Sequence, residues 1–337
     1  MERHRSPWPA VAALLVAMAG PGVAAADPVR VSILVDRGPP VADLACPANG
    51  QTVFCLDAES GGVTAIDPSG LVKPRLVVGA AADGEPRPRA IACIETNTLV
   101  AVCRAGAEWS LRSWRLRPDA AVPAVEPLQV VPLGDAAAPT AAPHLLVGHS
   151  RDWLAVSGLP EPQPPLLRGP IARASVGRLS DRGCPPPSAA GPVVAMTADP
   201  AEELVLFTAP REEAAGAVAF HDLAGRTLLE LACDLPRIRD AACSRGDGTL
   251  WAVAGDPAAA DRPEGLWRID AAIGGGRQVL RPVCVARLAG PTAVACVGNS
   301  AVVVAHGDAG RRLVRLDLIP RKAAAQAATE TEQEQTP

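Results

Sequence analysis

Short apolar runs, each broken by turn-forming residues, follow one another along almost the whole chain, and no long helical period occurs beyond the first residues. One run, Pro291-Thr292-Ala293-Val294-Ala295-Cys296, recurs most closely as Pro88-Arg89-Ala90-Ile91-Ala92-Cys93. Looser copies are Val41–Cys46, Arg239–Cys243 and Pro192–Met196, and the weakest is Pro143–Val147. With Cys46, Cys93, Val147, Met196, Cys243 and Cys296 as register marks, successive steps are 47, 54, 49, 47 and 53 residues. A period of roughly 40–50 residues built of short strands predicts an all-β propeller, in which each repeat is one four-stranded blade.

Strand bookkeeping predicts six blades. The last repeat holds only three strands, Ala293–Val297, Ala301–Ala305 and Arg312–Leu318, while Val29–Val35 is a strong strand ahead of the first repeat. Closing the ring therefore uses the N-terminal strand as the outermost strand of the last blade. Turn signals punctuate the repeats, among them Asn49-Gly50, Pro68-Ser69-Gly70 and Ala224-Gly225. The third repeat is the irregular one. Trp153–Ser157 reads as its second strand and Ile171–Leu179 as its third, but Gly158–Pro170 carries five prolines, which cannot donate to a ladder. That segment is expected to project at the rim of the channel, with Leu159, Leu166 and Leu167 either packing on the neighbouring blade or meeting a partner.

The two ends of the chain read differently from its middle. Arg3, His4 and Arg5 precede a short apolar run from Ala10 to Ala19, and Ala24-Ala25-Ala26 precedes Asp27, the pattern of a signal peptide over residues 1–26. The run is short for a span of about 20 residues, so a mature protein exported to the periplasm or medium, without a membrane span, is expected. Residues 27–320 make the propeller, and 321–337, rich in Ala, Gln, Thr and Glu, read as a disordered tail. A net charge of −4 with no basic cluster along the sequence speaks against nucleic acid as a partner.

Candidate chemistry lies where each innermost strand begins. The position there is Asp43, Ala90, His144, Val193, Asp240 and Ala293 in turn, polar in odd repeats and apolar in even ones. Innermost strands line the central channel of a propeller. Asp43, His144 and Asp240 could converge at its mouth to hold a divalent cation or to act as acid and base. Equally, aspartates at strand starts commonly satisfy nearby backbone groups. His149-Ser150-Arg151-Asp152 has the residue types of a hydrolytic triad without its geometry, and it reads as a turn, as do His221-Asp222 and His306-Gly307-Asp308. Glu212, Glu213, Asp256, Asp261 and Glu264 fall in loops between second and third strands and read as solvated.

The repeat period and the recurring third-strand endings, such as Trp267-Arg268-Ile269-Asp270 and Val314-Arg315-Leu316-Asp317, resemble the six-bladed propellers of the NHL, SMP-30/gluconolactonase and TolB-like kind. The resemblance is one of repeat form and covers roughly Pro28 to Pro320. It implies a fold shared by lactone hydrolases, lyases, sugar dehydrogenases and binding scaffolds, and so does not choose among them. Metal-dependent lactonases of this kind place a Glu or Asp, an Asn and an Asp around one Ca²⁺ or Zn²⁺. Asp43 and Asp240 match the acidic ligands by location. Asn49, Asn97 and Asn299 instead fall in turns between first and second strands, at the opposite end of the channel. The leading expectation is an exported, non-catalytic propeller, without a required cofactor, that binds a small ligand or a protein through one face of the ring. The alternative is a metal-dependent hydrolase of lactone-like substrates.

Nine cysteines complete the inventory. An oxidising compartment permits bridges, and Cys46 with Cys55 and Cys93 with Cys103 would sit on neighbouring strands of one blade. Cys233 with Cys243 and Cys284 with Cys296 instead join an outer strand to the next inner one, a span that can exceed the reach of about 7 Å between Cα atoms. Cysteine is also a small core residue, which suits its exchange with Met196 at one register position. No Cys-Xaa-Xaa-Cys occurs, so the thiols do not suggest a metal site.

Overall fold

The computed structural model describes residues 14–15, 29–95, 97–116, 125–135, 143–148, 153–157, 167–168, 180–181, 193–209, 216–222, 226–274, 277–299 and 301–318. The described strands form six sheets arranged as the blades of a propeller. Their innermost strands are Val41–Ala45, Arg87–Glu95, His144–Val147, Val193–Ala198, Asp240–Cys243 and Ala293–Val297, and they define blades 1 to 6. Each of these strands contacts the next, and the sixth returns to the first, so the ring closes around a channel.

Closure follows the expected route. Val29–Val35 pairs antiparallel with Arg312–Leu318 from Val29 opposite Leu318 to Val35 opposite Leu313, and so completes blade 6. Leu14–Leu15 adds a short outer pairing to Val31 and Arg30. The seam is tied further by Gly38, whose N–H donates to the Arg311 carbonyl at 2.8 Å, and by Thr292, whose hydroxyl reaches the Val41 carbonyl at 3.3 Å. At the Asn49-Gly50 turn the glycine is needed twice. Its φ is +64°, and a Cβ there would lie 2.9 Å from the Gly298 nitrogen in the adjoining turn of blade 6.

Five blades have four full strands. In blade 3 the two inner strands are His144–Val147 and Trp153–Ser157, while the outer two, Leu167–Arg168 and Ser180–Asp181, are two residues each. The described third strand is thus Leu167–Arg168, and the expected Ile171–Leu179 lies outside the described residues. Leu167 sits in the ladder opposite Leu154 rather than in a projecting loop. A proline-free pair of residues is enough to take up those backbone bonds, and a ladder pairing outweighs the proline signal around it. Leu159 and Leu166 lie outside the described residues, as do residues 321–337 and all of 1–26 except Leu14–Leu15.

The core is a ring of six apolar clusters, one at each interface between blades. Side chains alternate across each strand, so successive residues of one inner strand serve two interfaces. Leu44 and Cys46 pack towards blade 6, whereas Ala45 packs towards blade 2. Leu145 and Val147 pack towards blade 2, and Leu146 towards blade 4. Second strands are buried on both faces, as in Ala301–His306 and Leu204–Thr208, because neighbouring blades cover them from both sides.

Candidate functional site

Asp43, His144 and Asp240 open blades 1, 3 and 5, so they stand two blades apart around the channel mouth. Each occupies the first half of its strand on the face turned to the following blade. Asp43 Oδ2 accepts the Ile91 N–H of blade 2 at 2.8 Å, and its Oδ1 accepts the Leu44 N–H at 2.8 Å. Asp240 repeats the arrangement on blade 5. Its Oδ2 accepts the Val294 N–H of blade 6 at 2.8 Å, and its Oδ1 accepts the Ala241 N–H at 2.8 Å. His144 hydrogen-bonds the backbone of Val194 in blade 4. Three polar side chains thus lace blade 1 to 2, 3 to 4 and 5 to 6. Each bonds the residue just after the small or apolar one at the same position of the next blade: Ala90, Val193 or Ala293. This explains the odd–even alternation: an inner strand has one edge without a ladder partner, and its N–H groups need acceptors.

The electrostatics follow from enclosure. Asp43 and Asp240 are half-buried in the channel wall. Burial raises Asp43 well above the usual carboxylate range and the charge on Asp240 adds to this, while the N–H groups of Ile91 and Leu44 pull the other way. Burial also lifts Asp240 to about 7 against the N–H groups of Val294 and Ala241. Burial lowers His144 to about 4, leaving it neutral.

Above these groups the channel widens into a mouth of about 720 Å³, walled by Asp43, His144, Asp240, Arg89, Arg104, Trp109 and Arg239 among others. The deeper channel is narrower, about 150 Å³, and its lining runs to Cys46, Cys93, Met196, Cys243 and Cys296, with Arg245 and Asn299. All eight described cysteines are free thiols. The strand register accounts for two expected bridges that do not form: Cys55 lies opposite Leu44, and Cys103 opposite Pro88. Burial raises Cys46 and Cys243 to about 12 each, and raises Cys93 and Cys296 strongly as well.

A divalent cation does not fit the mouth as built. All four oxygens of Asp43 and Asp240 already face backbone N–H groups, and the two residues stand on blades separated by a third. Among the described residues no three His, Cys, Asp or Glu side chains are placed to share an ion. Asn299 lines the far end of the channel, as its position in a first-to-second-strand turn predicts.

Glu264, which its place between second and third strands marks as solvated, is instead tied into the fold. It accepts from Arg239 and from the Gly290 N–H at 2.9 Å, while Arg239 also donates to the Pro291 carbonyl at 2.7 Å. Its burial disfavours charge, yet Gly290 and Arg239 outweigh this and hold its carboxyl below the usual value. The clamp fastens blade 5 to the approach to blade 6. Its only sequence signal is the Arg239–Glu264 pairing of opposite charges, which no local spacing reveals. Asp256 accepts an ion pair from Arg237 at 3.4 Å. His149–Asp152 and Glu212–Glu213 lie outside the described residues.

No protein-family model matches the chain, and no curated protein matches it. Solved structures do. The PQQ-bound form of aldose sugar dehydrogenase from Streptomyces coelicolor is 14% identical with a TM-score of 0.55, over 86% of this chain and 98% of that one. A gluconolactonase from Xanthomonas campestris is 16% identical with a TM-score of 0.55, over 94% and 100%. The β-propeller domain of Cps50 (Swd1) from Myceliophteria thermophila is 12% identical with a TM-score of 0.51, over 85% and 98%. At these identities the likeness is one of fold: the chain is a β-propeller, similar to gluconolactonase and to other propellers. Neither the NHL nor the TolB-like branch is singled out.

Proposed function

We propose that this protein is an exported propeller that binds a small ligand at the channel mouth, over Asp43, His144 and Asp240. One observation carries the reading. The ring offers a mouth of about 720 Å³ with polar groups from three alternate blades in its wall, whereas the deeper channel is smaller, about 150 Å³. A concave site with a few convergent polar groups is what a small ligand needs. The polar wall already bonds the backbone, so it presents a rigid surface and asks for no cofactor. Binding is tested by screening uncharged and charged small molecules for thermal stabilisation, with Ala42→Trp as the variant that fills the mouth. Ala42 is exposed there, so the fold tolerates the change. Hits that stabilise Ala42→Trp as well as the parent would place binding elsewhere. Export predicts a mature N-terminus at Asp27, readable by N-terminal sequencing of protein secreted from its host.

A second reading rests on the enclosure of Asp43 and Asp240, which holds both carboxyls above the usual carboxylate range and so suits them to acid or base work nearer neutral pH. Together with the similarity to a gluconolactonase structure, this favours hydrolysis of lactone-like substrates at the same mouth. Lactone hydrolysis present in the parent and lost in both Asp43→Asn and Asp240→Asn would make the protein an enzyme. The same assay with and without added Ca²⁺ or Zn²⁺ decides whether a metal takes part.

A further inference from the structure

We infer that the ligand of the mouth is a small anion whose carboxylate or phosphate oxygens are held by the arginines of blade 2; this rests on the mouth being the binding site. Arg87 and Arg89 begin the inner strand of blade 2, two residues apart, and Arg104 lies directly opposite Arg87 on the second strand. Arg89 and Arg104 wall the mouth. Arg89 and Arg104 therefore stand on one arc of the rim, with Arg87 close enough for its charge to be felt by Arg89.

Their protein partners leave the charge uncancelled. Arg87 donates to the Glu59 carbonyl oxygen at 3.0 Å, a neutral acceptor, while the Glu59 carboxylate is taken by Arg311 at 3.2 Å. Arg104 donates through Nε to the Gly106 carbonyl at 2.8 Å and lies 5.3 Å from the centre of the Trp109 ring. Arg89 is exposed and pairs with no carboxylate among the described residues. Its pKa is lowered, first by loss of water and then by the charges of Arg87 and Arg104. The other arginine of the mouth, Arg239, is by contrast tied to Glu264 and Pro291.

Holding like charges together is unfavourable unless something of opposite sign joins them. Guanidinium groups bind carboxylate and phosphate through paired N–H donors, so an oxyanion supplies that charge in a geometry arginine suits. The Trp109 indole N–H, buried beneath the same arc, has no acceptor among the described residues. Three guanidiniums on a chain of net charge −4 suit a small molecule rather than a nucleic acid, which needs a broad basic face.

The experiment titrates the protein with citrate, inorganic phosphate and uncharged methyl glucoside at low salt, by calorimetry and tryptophan fluorescence. Four proteins are compared: the parent, R89Q/R104Q, A42W and, as a control of equal charge change, R237Q/R226Q. The inference expects citrate or phosphate to bind the parent, with affinity falling about tenfold or more in R89Q/R104Q and little in the control. Tighter citrate assigns a carboxylate and tighter phosphate assigns a phosphate. An anion bound equally by parent and R89Q/R104Q overturns the inference, as does glucoside bound where neither anion is. Glucoside binding abolished by A42W would then leave the mouth intact as the site. Anion binding that survives A42W would overturn the mouth itself. Melting temperatures of all variants check that each is folded.

Discussion

The two ends of the channel are built from the same six strands, yet they differ in size and in most of the residues that line them. At the mouth stand Asp43, His144 and Asp240; three residues further along each strand stand Cys46, Cys93, Val147, Met196, Cys243 and Cys296. An odd step along a strand reverses the side chain's direction, so the mouth residues point to the following blade and the register residues to the preceding one. The mouth residues meet backbone N–H groups with no ladder partner and so must be acceptors in alternate blades. The register residues meet the flank of another strand, where a small apolar group or thiol fills the gap. The lesson is that polarity at the mouth is first a structural device. What that device leaves over is the cavity and the arginines in its wall.

The largest effect is expected from breaking the ring that both ends share. Deleting residues 27–36 removes the partner of Arg312–Leu318 and leaves an open edge on blade 6. The deletion should abolish cooperative unfolding and drive aggregation, seen by light scattering and calorimetry. A soluble, folded deletion protein would refute ring closure by this strand.

At the mouth, Asp43→Ala or Asp240→Ala leaves two backbone N–H groups without their acceptors and should cost about 2–3 kcal/mol in a denaturant titration. Cys93→Ala at the other end loses only a small buried group, about 1 kcal/mol. Equal losses at both ends would show that the carboxylates do not lace the blades.

The mouth should also make stability depend on pH. Asp43 and Asp240 titrate above their unfolded values, so the protonated carboxyl is favoured in the folded state. That contribution is present below about pH 4 and is lost as pH rises through about 7 and beyond. His144 acts from the other side: its contribution is present above about 6.5 and lost as pH falls towards about 4, at most about 3 kcal/mol. Asp240→Asn should flatten the alkaline limb and His144→Gln the acid limb. Limbs unchanged in both variants would contradict the enclosure of these groups.

The smallest effect is chemical. In a Cys184→Ser, Cys284→Ser background, Cys46, Cys93, Cys243 and Cys296 should resist Ellman's reagent at pH 8 and react only on unfolding, because burial keeps them protonated. Rapid labelling of the native protein would mean that the narrow end opens to solvent.

Much of this architecture is legible in the residues alone. Strands such as Leu204–Thr208, Leu250–Ala254, Trp153–Ser157 and Arg312–Leu318 fall where apolar runs and turn residues place them, because a buried strand and its flanking turns are local demands. The step of about fifty residues between register marks is local repetition as well, and the strand count around it determines the closing partner. Asp43, His144 and Asp240 are legible as a set for the same reason. What they bond is not. Ile91 lies 48 residues from Asp43 and Val294 lies 54 from Asp240, so only the closed ring brings donor to acceptor. Tertiary structure alone decided that Cys55 faces Leu44 rather than Cys46, that Leu167 joins a ladder, and that Glu264 holds Arg239. It alone brought Arg89 and Arg104 to one arc of the mouth. A strand's pattern records which faces are buried, but neighbours across a ring are chosen by register and closure, which no single stretch encodes.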